Sequence, residues 1–511
     1  MLMSRTGNSL RNAITAVGGT IARMGSRFLT QTALIYCLGA EYIGLQGFLQ
    51  NIVGFLSITE LGLGVAVVYS LYKVLADADE RHVAAIMNLY KRLYWYIGLV
   101  VLGISIILVP FMPYLVKNLN EFSGFWYAYC LYVLDTLLTY WFFSYRNAIL
   151  QADQKQYIFN LINLGIQVST AVTQVVVLFM THDFLAFICM SILCKSLGNC
   201  YLKVCTDHMY PYLLSPHIPR VPNEIISSIK KNVKAIVIYN GGYKINVVLD
   251  TMLISYYLNI VTVGKYSNYY LIFSAFTSLI TAFFSAFTAS LGNLYIKDSP
   301  DKNEFIFRCL NLVNFILAGI VGVTVAVCLG DFISIWIGSS YLFDAYTHYF
   351  LIFTFFSDLL GCVILQFRNA YGLFDKGKYR PLIGAILNAS ISMYLAPEYG
   401  VIGITLGTLI SSYLTFWWFD SWLIYHYGFH KSVFRYYAQY IFDLFYITAI
   451  GSALVYVNTV ISAQVTFINL LIKTCLTLII IIALLGFRYY RKPEFQYLVK
   501  LSKNVWKSGR L

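Results

Sequence analysis

The chain has 511 residues, 59% hydrophobic and 12% charged, with a formal net charge of +13. A soluble protein of this size carries roughly twice that charged fraction, so composition excludes an ordinary water-soluble globular enzyme. The basic residues cluster in short segments between long apolar runs, which argues against a nucleic-acid surface and for a membrane chain.

A span needs about 20 mostly apolar residues to cross the hydrocarbon core. Fourteen such stretches follow in chain order: 12–37, 43–71, 94–116, 123–149, 158–181, 184–204, 235–258, 265–296, 308–330, 346–373, 381–396, 401–427, 436–457 and 466–487. The eleventh is short and is followed at once by Pro397. Lipid offers the backbone no hydrogen-bond partner, so the runs are predicted to be helices. A β-barrel would instead alternate over segments of about ten residues. The predicted fold class is an all-α polytopic membrane protein. The start, MLMSRTGNSLRNAITAV, lacks a compact apolar run with a small-residue cleavage site and reads as the beginning of span one. Ten scattered cysteines form no CxxC pair and no His/Cys cluster, so no metal, cofactor or disulfide framework is expected.

Lysine and arginine crowd the N-terminus, the even-numbered connections and the C-terminal tail, whereas the opposite side offers only Lys117 and Lys265. This asymmetry places both termini in the cytoplasm of a multi-pass protein. The outer connections 117–122, 182–183, 259–264 and 331–345 are too short for an extracytoplasmic catalytic domain. A polymerase or glycosyltransferase is disfavoured on that ground, and the sequence lacks a Walker loop for an ATP-driven engine. The longest cytoplasmic connection, 205–234, carries four prolines and reads as a linker. The basic tail, 488–511, is expected to face anionic membrane lipids.

Two segments repeat. YRNAILQADQKQY (Tyr145–Tyr157) and FRNAYGLFDKGKY (Phe367–Tyr379) share Arg146/Arg368, Asn147/Asn369, Ala148/Ala370, Asp153/Asp375 and Tyr157/Tyr379 at a constant spacing of 222 residues. The copies end spans four and ten, an even number of spans apart, which implies two halves in the same orientation. The expected organisation is a six-helix bundle over 1–204, the linker 205–234, a second bundle over 235–430, an appended helix pair over 431–487, and the tail.

Gly39–Lys73, GAEYIGLQGFLQNIVGFLSITELGLGVAVVYSLYK, resembles the first loop and second span of the bacterial polysaccharide-repeat flippases, within the multidrug/oligosaccharidyl-lipid/polysaccharide exporter superfamily. LQADQKQY (Leu150–Tyr157) resembles the loop after their fourth span. The resemblance implies two six-helix bundles in a V around a central cavity. It also implies an isoprenoid-diphosphate lipid carrying an oligosaccharide, moved from the inner to the outer leaflet of the bacterial cytoplasmic membrane by alternating access. A monomer working beside a polymerase and glycosyltransferases is expected. A peptidoglycan-precursor lipid flippase and a multidrug or cation antiporter of the same superfamily are the alternatives; the antiporter predicts an anionic cavity.

Ionisable groups inside spans are costly and mark candidate sites. Arg23 and Arg27 share one face of span one, with Asn8, Asn12, Thr15, Gly19, Thr30 and Gln31. Two guanidinium groups one turn apart suit a diphosphate; the competing role is pairing with a structural carboxylate. Lys244 in span seven, with Asn240 one turn before it, matches Arg23 in depth. Arg23, Arg27, Gln31, Asn240 and Lys244 are the predicted substrate-binding set. Glu60, Asp135, Asp250 and Asp358 are predicted counter-ions or coupling acids. Asp420, Asp443 and Lys473 are expected at the interfaces. Arg146 and Arg368 are expected to pair with Asp153 and Asp375 across each turn, as a cytoplasmic staple or gate.

Overall fold

A computed structural model of the chain describes residues 2–507, apart from 58–62, 78, 117–123, 216–218, 220, 223–225, 228–240, 243, 247, 374 and 461–463. The described residues are mostly helical and hold no strand. In chain order the main helices are α1 (Leu2–Leu38), α2 (Ala40–Leu56), α3 (Leu63–Ala76), α4 (Glu80–Leu108), α5 (Phe125–Trp141), α6 (Asn147–Ala152), α7 (Gln156–Thr181) and α8 (Phe184–Met209). There follow α9 (Ile260–Ser285), α10 (Thr288–Lys297), α11 (Pro300–Trp336), α12 (Ala345–Leu360), α13 (Cys362–Ala370), α14 (Arg380–Ser412), α15 (Trp418–Leu423), α16 (Phe434–Val460), α17 (Phe467–Tyr489) and α18 (Pro493–Lys507).

Among the described residues, eight helices are long and apolar enough to cross a membrane, or nine if the bent pair α9 and α10 is one span. The protein is therefore an all-α, multi-pass membrane protein. Fewer helices qualify than stretches were marked, for local reasons. Span two is described as α2 up to Leu56 and as α3 from Leu63, with residues 58–62 outside the described residues. In span four, α5 has only 17 residues. Much of span seven lies outside the described residues, and α1 carries a polar stripe that lowers its hydropathy.

Spans eleven and twelve register as a single run, Arg380–Phe429, of 50 residues. A straight helix of that length would reach about 75 Å, more than twice the hydrocarbon thickness. Gly400 reverses it, with φ 57° and ψ −128°, a conformation open to glycine and few others. A Cβ on Gly403 would lie 2.5 Å from the Leu395 carbonyl, and one on Gly407 2.0 Å from Ser392 Oγ. Ser392 Oγ donates to Ile404 O at 3.0 Å, and Thr408 Oγ1 to Asn388 Oδ1 at 3.2 Å. These pairs define a tight antiparallel hairpin. The two spans are separate, as the sequence predicts, with Pro397 just before the turn.

The chain divides into two compact units. The first comprises Met1–Leu271 and Pro381–Ala385. In it α1 lies along α7, α7 packs on α8, and α5 packs on both α4 and α8. The second comprises Ile272–Arg380 and Ile386–Leu511. Its centre is α11, which packs against α12, α16, α17 and α18. Gly319 and Gly322 keep α11 close to its neighbours: a Cβ on Gly322 would sit 2.7 Å from the Phe356 ring.

Candidate functional site

The polar stripe of α1 divides its work. Toward its N-terminus Asn12 clasps the start of α7: Asn12 Nδ2 donates to Gln154 O at 3.0 Å, and Tyr157 N donates to Asn12 Oδ1 at 2.6 Å. Asn160 Nδ2 donates to Thr15 Oγ1 at 3.1 Å. At the other end Gln31 Nε2 donates to Asn268 Oδ1 at 2.5 Å. Asn268 is fully buried, so Gln31 fixes α1 to α9. Between these anchors Arg23 and Arg27 are exposed. Neither forms an ion pair among the described residues. Arg27 lies within electrostatic reach of Arg23 and of Tyr270.

Lys244 Nζ donates to Ser57 Oγ at 2.8 Å, and the lysine makes further contacts besides. Ser57 caps the C-terminus of α2, where the helix of span two stops. The lysine of span seven thus meets the C-terminal end of α2 inside the first unit. Asp250, one and a half turns further on, is 8% exposed and also makes contacts. Asn240 and Glu60 lie outside the described residues.

Nearby in the same unit the backbones of α2 and α9 touch. A Cβ on Gly44 would fall 1.9 Å from Ile260 O, and one on Gly264 2.2 Å from Ala40 O. Only glycine permits such an approach. Further along α2, Gln46 and Gln50 lie within hydrogen-bonding reach of the Tyr132 hydroxyl on α5.

Asp135, one turn beyond Tyr132, pairs with Lys195 of α8 at 2.5 Å. Asp358, its counterpart by sequence, is exposed on α12 and makes contacts of its own. Equal depth has not produced equal surroundings, because span six supplies a lysine at this level.

The first repeated segment departs from expectation. Arg146 Nη2 lies 2.8 Å from Asp207 Oδ1 on α8, not on Asp153. Asp153 instead accepts from the Tyr210 hydroxyl at 2.7 Å and pairs with Lys155 at 2.7 Å. The reason is helix geometry: α6 intervenes, and seven residues of helix separate the two groups by roughly 10 Å along the axis. Arg368 Nη1 lies 3.1 Å from Asp420 Oδ2, and Arg380 Nε lies 3.2 Å from Asp420 Oδ1. The Asp375 side chain lies outside the described residues. Asp420 is fully buried rather than interfacial, between π-helical turns at Tyr413–Trp417 and Ile424–Phe429. Asp443, also expected at an interface, is 1% exposed and faces Arg488 at 3.5 Å. Lys473 does not reach outward but pairs with Asp331 of α11 at 2.7 Å.

Asp207, Lys195 and Ser57 are therefore partners that the sequence reading did not assign. Asp207 and Asp420 carry a visible signal in retrospect. Each lies near the C-terminal end of the sixth span of its half, two spans beyond the repeated arginine.

No protein-family model matches the sequence, and no curated protein does. Solved structures do match. A lipid II flippase, MurJ, in an inward closed conformation superposes with a TM-score of 0.60 at 14% identity, covering 94% of this chain and 99% of that one. An inward-facing multidrug resistance MATE family transporter of the MOP superfamily gives 0.59 at 14% identity, over 80% and 97%. A MOP superfamily transporter from Pyrococcus furiosus, described as having a binding pocket of reversed polarity, gives 0.53 at 12% identity, over 80% and 93%. The chain shares the fold of the MOP superfamily transporters.

Proposed function

We propose that this protein is a flippase that moves isoprenoid-diphosphate-linked oligosaccharide repeat units from the inner to the outer leaflet, by alternating access, for surface polysaccharide synthesis. The observation that carries the reading is the pair Arg23 and Arg27: two exposed guanidinium groups one turn apart within a membrane-spanning helix, with no carboxylate partner among the described residues. An intramembrane cation without a counter-ion is costly unless an anion visits it. Planar paired donors suit the oxygens of a diphosphate. Lys244, held by Ser57, adds a third cation in the same unit. Gln31 is a positioning residue in this reading, because its amide is engaged by Asn268. Asp250 and Asp358, with Glu60, are the acids assigned to ion or proton coupling; Asp135 is assigned as the counter-ion of Lys195. The duplicated arginines staple the cytoplasmic helix ends. The membrane is the bacterial cytoplasmic membrane, with both termini inside.

A second reading is transport of a peptidoglycan-precursor lipid, favoured by the near-complete overlap with the MurJ fold. Its substrate also carries a diphosphate, so the same arginines serve both. Deleting the gene and identifying the lipid-linked glycan that accumulates separates the two. Accumulation of an oligosaccharide repeat on a diphosphate lipid is expected; accumulation of the peptidoglycan precursor selects the second reading, and neither sinks both.

A further inference from the structure

The lipid-facing and inward-facing sides of α7 differ sharply. Leu161, Gly165, Val168, Val172, Val176 and Phe179 are exposed and lie on one side. On the opposite side Gln156, Asn160, Asn163, Gln167, Thr170 and Gln174 follow one another at alternating steps of four and three residues. This is the spacing of a continuous helix face, and it puts an uncharged polar ladder along the whole span.

The contacts of Asn12 with Tyr157 and of Thr15 with Asn160 fix the register of α1 on α7. The two helices run parallel, so the same offset puts Arg23 level with Val168, next to Gln167, and Arg27 level with Val172, between Thr170 and Gln174. Two rungs of the ladder are occupied. Asn160 bonds Thr15, and Gln174 Nε2 donates to Phe187 O at 3.1 Å. Three side-chain oxygens are not: Gln156 Oε1, Gln167 Oε1 and Thr170 Oγ1 are buried with no hydrogen-bond partner among the described residues, and the last two lie at the level of the arginines. A buried polar atom left unmade costs about 1–3 kcal/mol, and lipid offers no remedy.

Amides and hydroxyls both donate and accept and carry no charge. They match neither an ionic nor an apolar cargo; they match a polyhydroxylated one. We propose that Asn163, Gln167 and Thr170 form the sugar-reading wall of the transport site. They contact hydroxyls of the glycan whose diphosphate Arg23 and Arg27 hold. This rests on the reading of the two arginines given above and adds a division of labour: α1 holds the phosphates, and α7 discriminates the sugar.

The test uses the full-length protein in lipid nanodiscs and two probes: a polyisoprenyl diphosphate bearing a neutral tetrasaccharide, and the same diphosphate without sugar. Gln167→Met keeps the side-chain length, and Thr170→Val keeps the shape. Each is expected to weaken binding of the sugar-bearing lipid about tenfold, the scale of one lost hydrogen bond, and to leave the bare diphosphate lipid within about twofold. Arg23→Ala is expected to weaken both probes. Equal weakening of both probes by the α7 variants overturns the proposal. So does unchanged binding with a lowered melting temperature, which would make the ladder helix–helix glue or a water track. A wild-type protein that binds neither probe overturns the arginine reading as well, which distinguishes the two failures.

Discussion

Arg368 and Asp420 form an ion pair, 3.1 Å between Nη1 and Oδ2, in which both side chains are wholly shielded from solvent. Its counterpart in the first unit is Arg146 with Asp207 at 2.8 Å, with side-chain exposures of 7% and 15%. The duplicated arginine therefore sits in a duplicated clamp. In each case it ties the C-terminal end of the fourth span of one half to the sixth span of that half. In the second unit Arg380 adds a third member on the same carboxylate. Removing one member of a buried pair leaves an uncompensated charge, which costs about 3–5 kcal/mol.

Arg368→Met leaves Arg380 on Asp420 and is therefore expected to cost the second unit less than that, about 1–3 kcal/mol for the unmade buried contact, and Arg146→Met to have a smaller effect still because Asp207 is partly solvated and also has Lys203 at 3.9 Å. Thermal unfolding of the detergent-solubilised protein measures the difference. Equal melting temperatures for wild type and Arg368→Met would refute the clamp.

Arg23 makes a further prediction in which charge and geometry part company. Arg23→Lys keeps the charge but loses the planar fork. Export of surface glycan is expected to fall about tenfold with lysine and to be abolished with alanine, with each variant inserted at wild-type level. Normal export from Arg23→Ala would remove that residue from the site.

The touching backbones of α2 and α9 make Gly44 intolerant of any side chain. Gly44→Ala places a methyl group 1.9 Å from the Ile260 carbonyl oxygen, so the helices must move apart. A loss of about 1–3 kcal/mol is expected from this overpacking, while Gly103→Ala, with open space at its Cβ, is expected to be neutral or slightly stabilising. A melting comparison of the two variants decides it; matching melting temperatures would mean that α2 and α9 do not approach in this way.

Gly400 supports a prediction about insertion. Gly400→Val introduces a β-branched residue at φ 57°, which strains the turn of the hairpin. The expected result is loss of correctly inserted protein, read by the accessibility of single-cysteine labels on either side of the turn. Labels that report the wild-type pattern would count against a strained reversal at this position.

Much of this was written in the sequence. Long apolar runs dictate helices, because lipid cannot satisfy an open backbone. Pro397 marks the end of the eleventh stretch, and the reversal itself falls three residues on, at Gly400. The repeated arginines could be found by spacing, but not their partners. Asp153 is the nearer carboxylate in sequence, yet Asp207 is nearer in space. Local spacing says which face a residue occupies and nothing about which distant helix passes that face.

The same limit governs the site. By itself the sequence determined that span one carries a polar face with two arginines, since helical periodicity is a property of the chain alone. Only the tertiary structure decided that Asn12, Thr15 and Gln31 on that face are consumed by α7 and α9, leaving Arg23 and Arg27 between them. It likewise decided that Lys195 neutralises Asp135 while Lys473 turns inward to Asp331. A buried charge takes the nearest opposite charge that packing brings within reach, and packing is set by the whole fold.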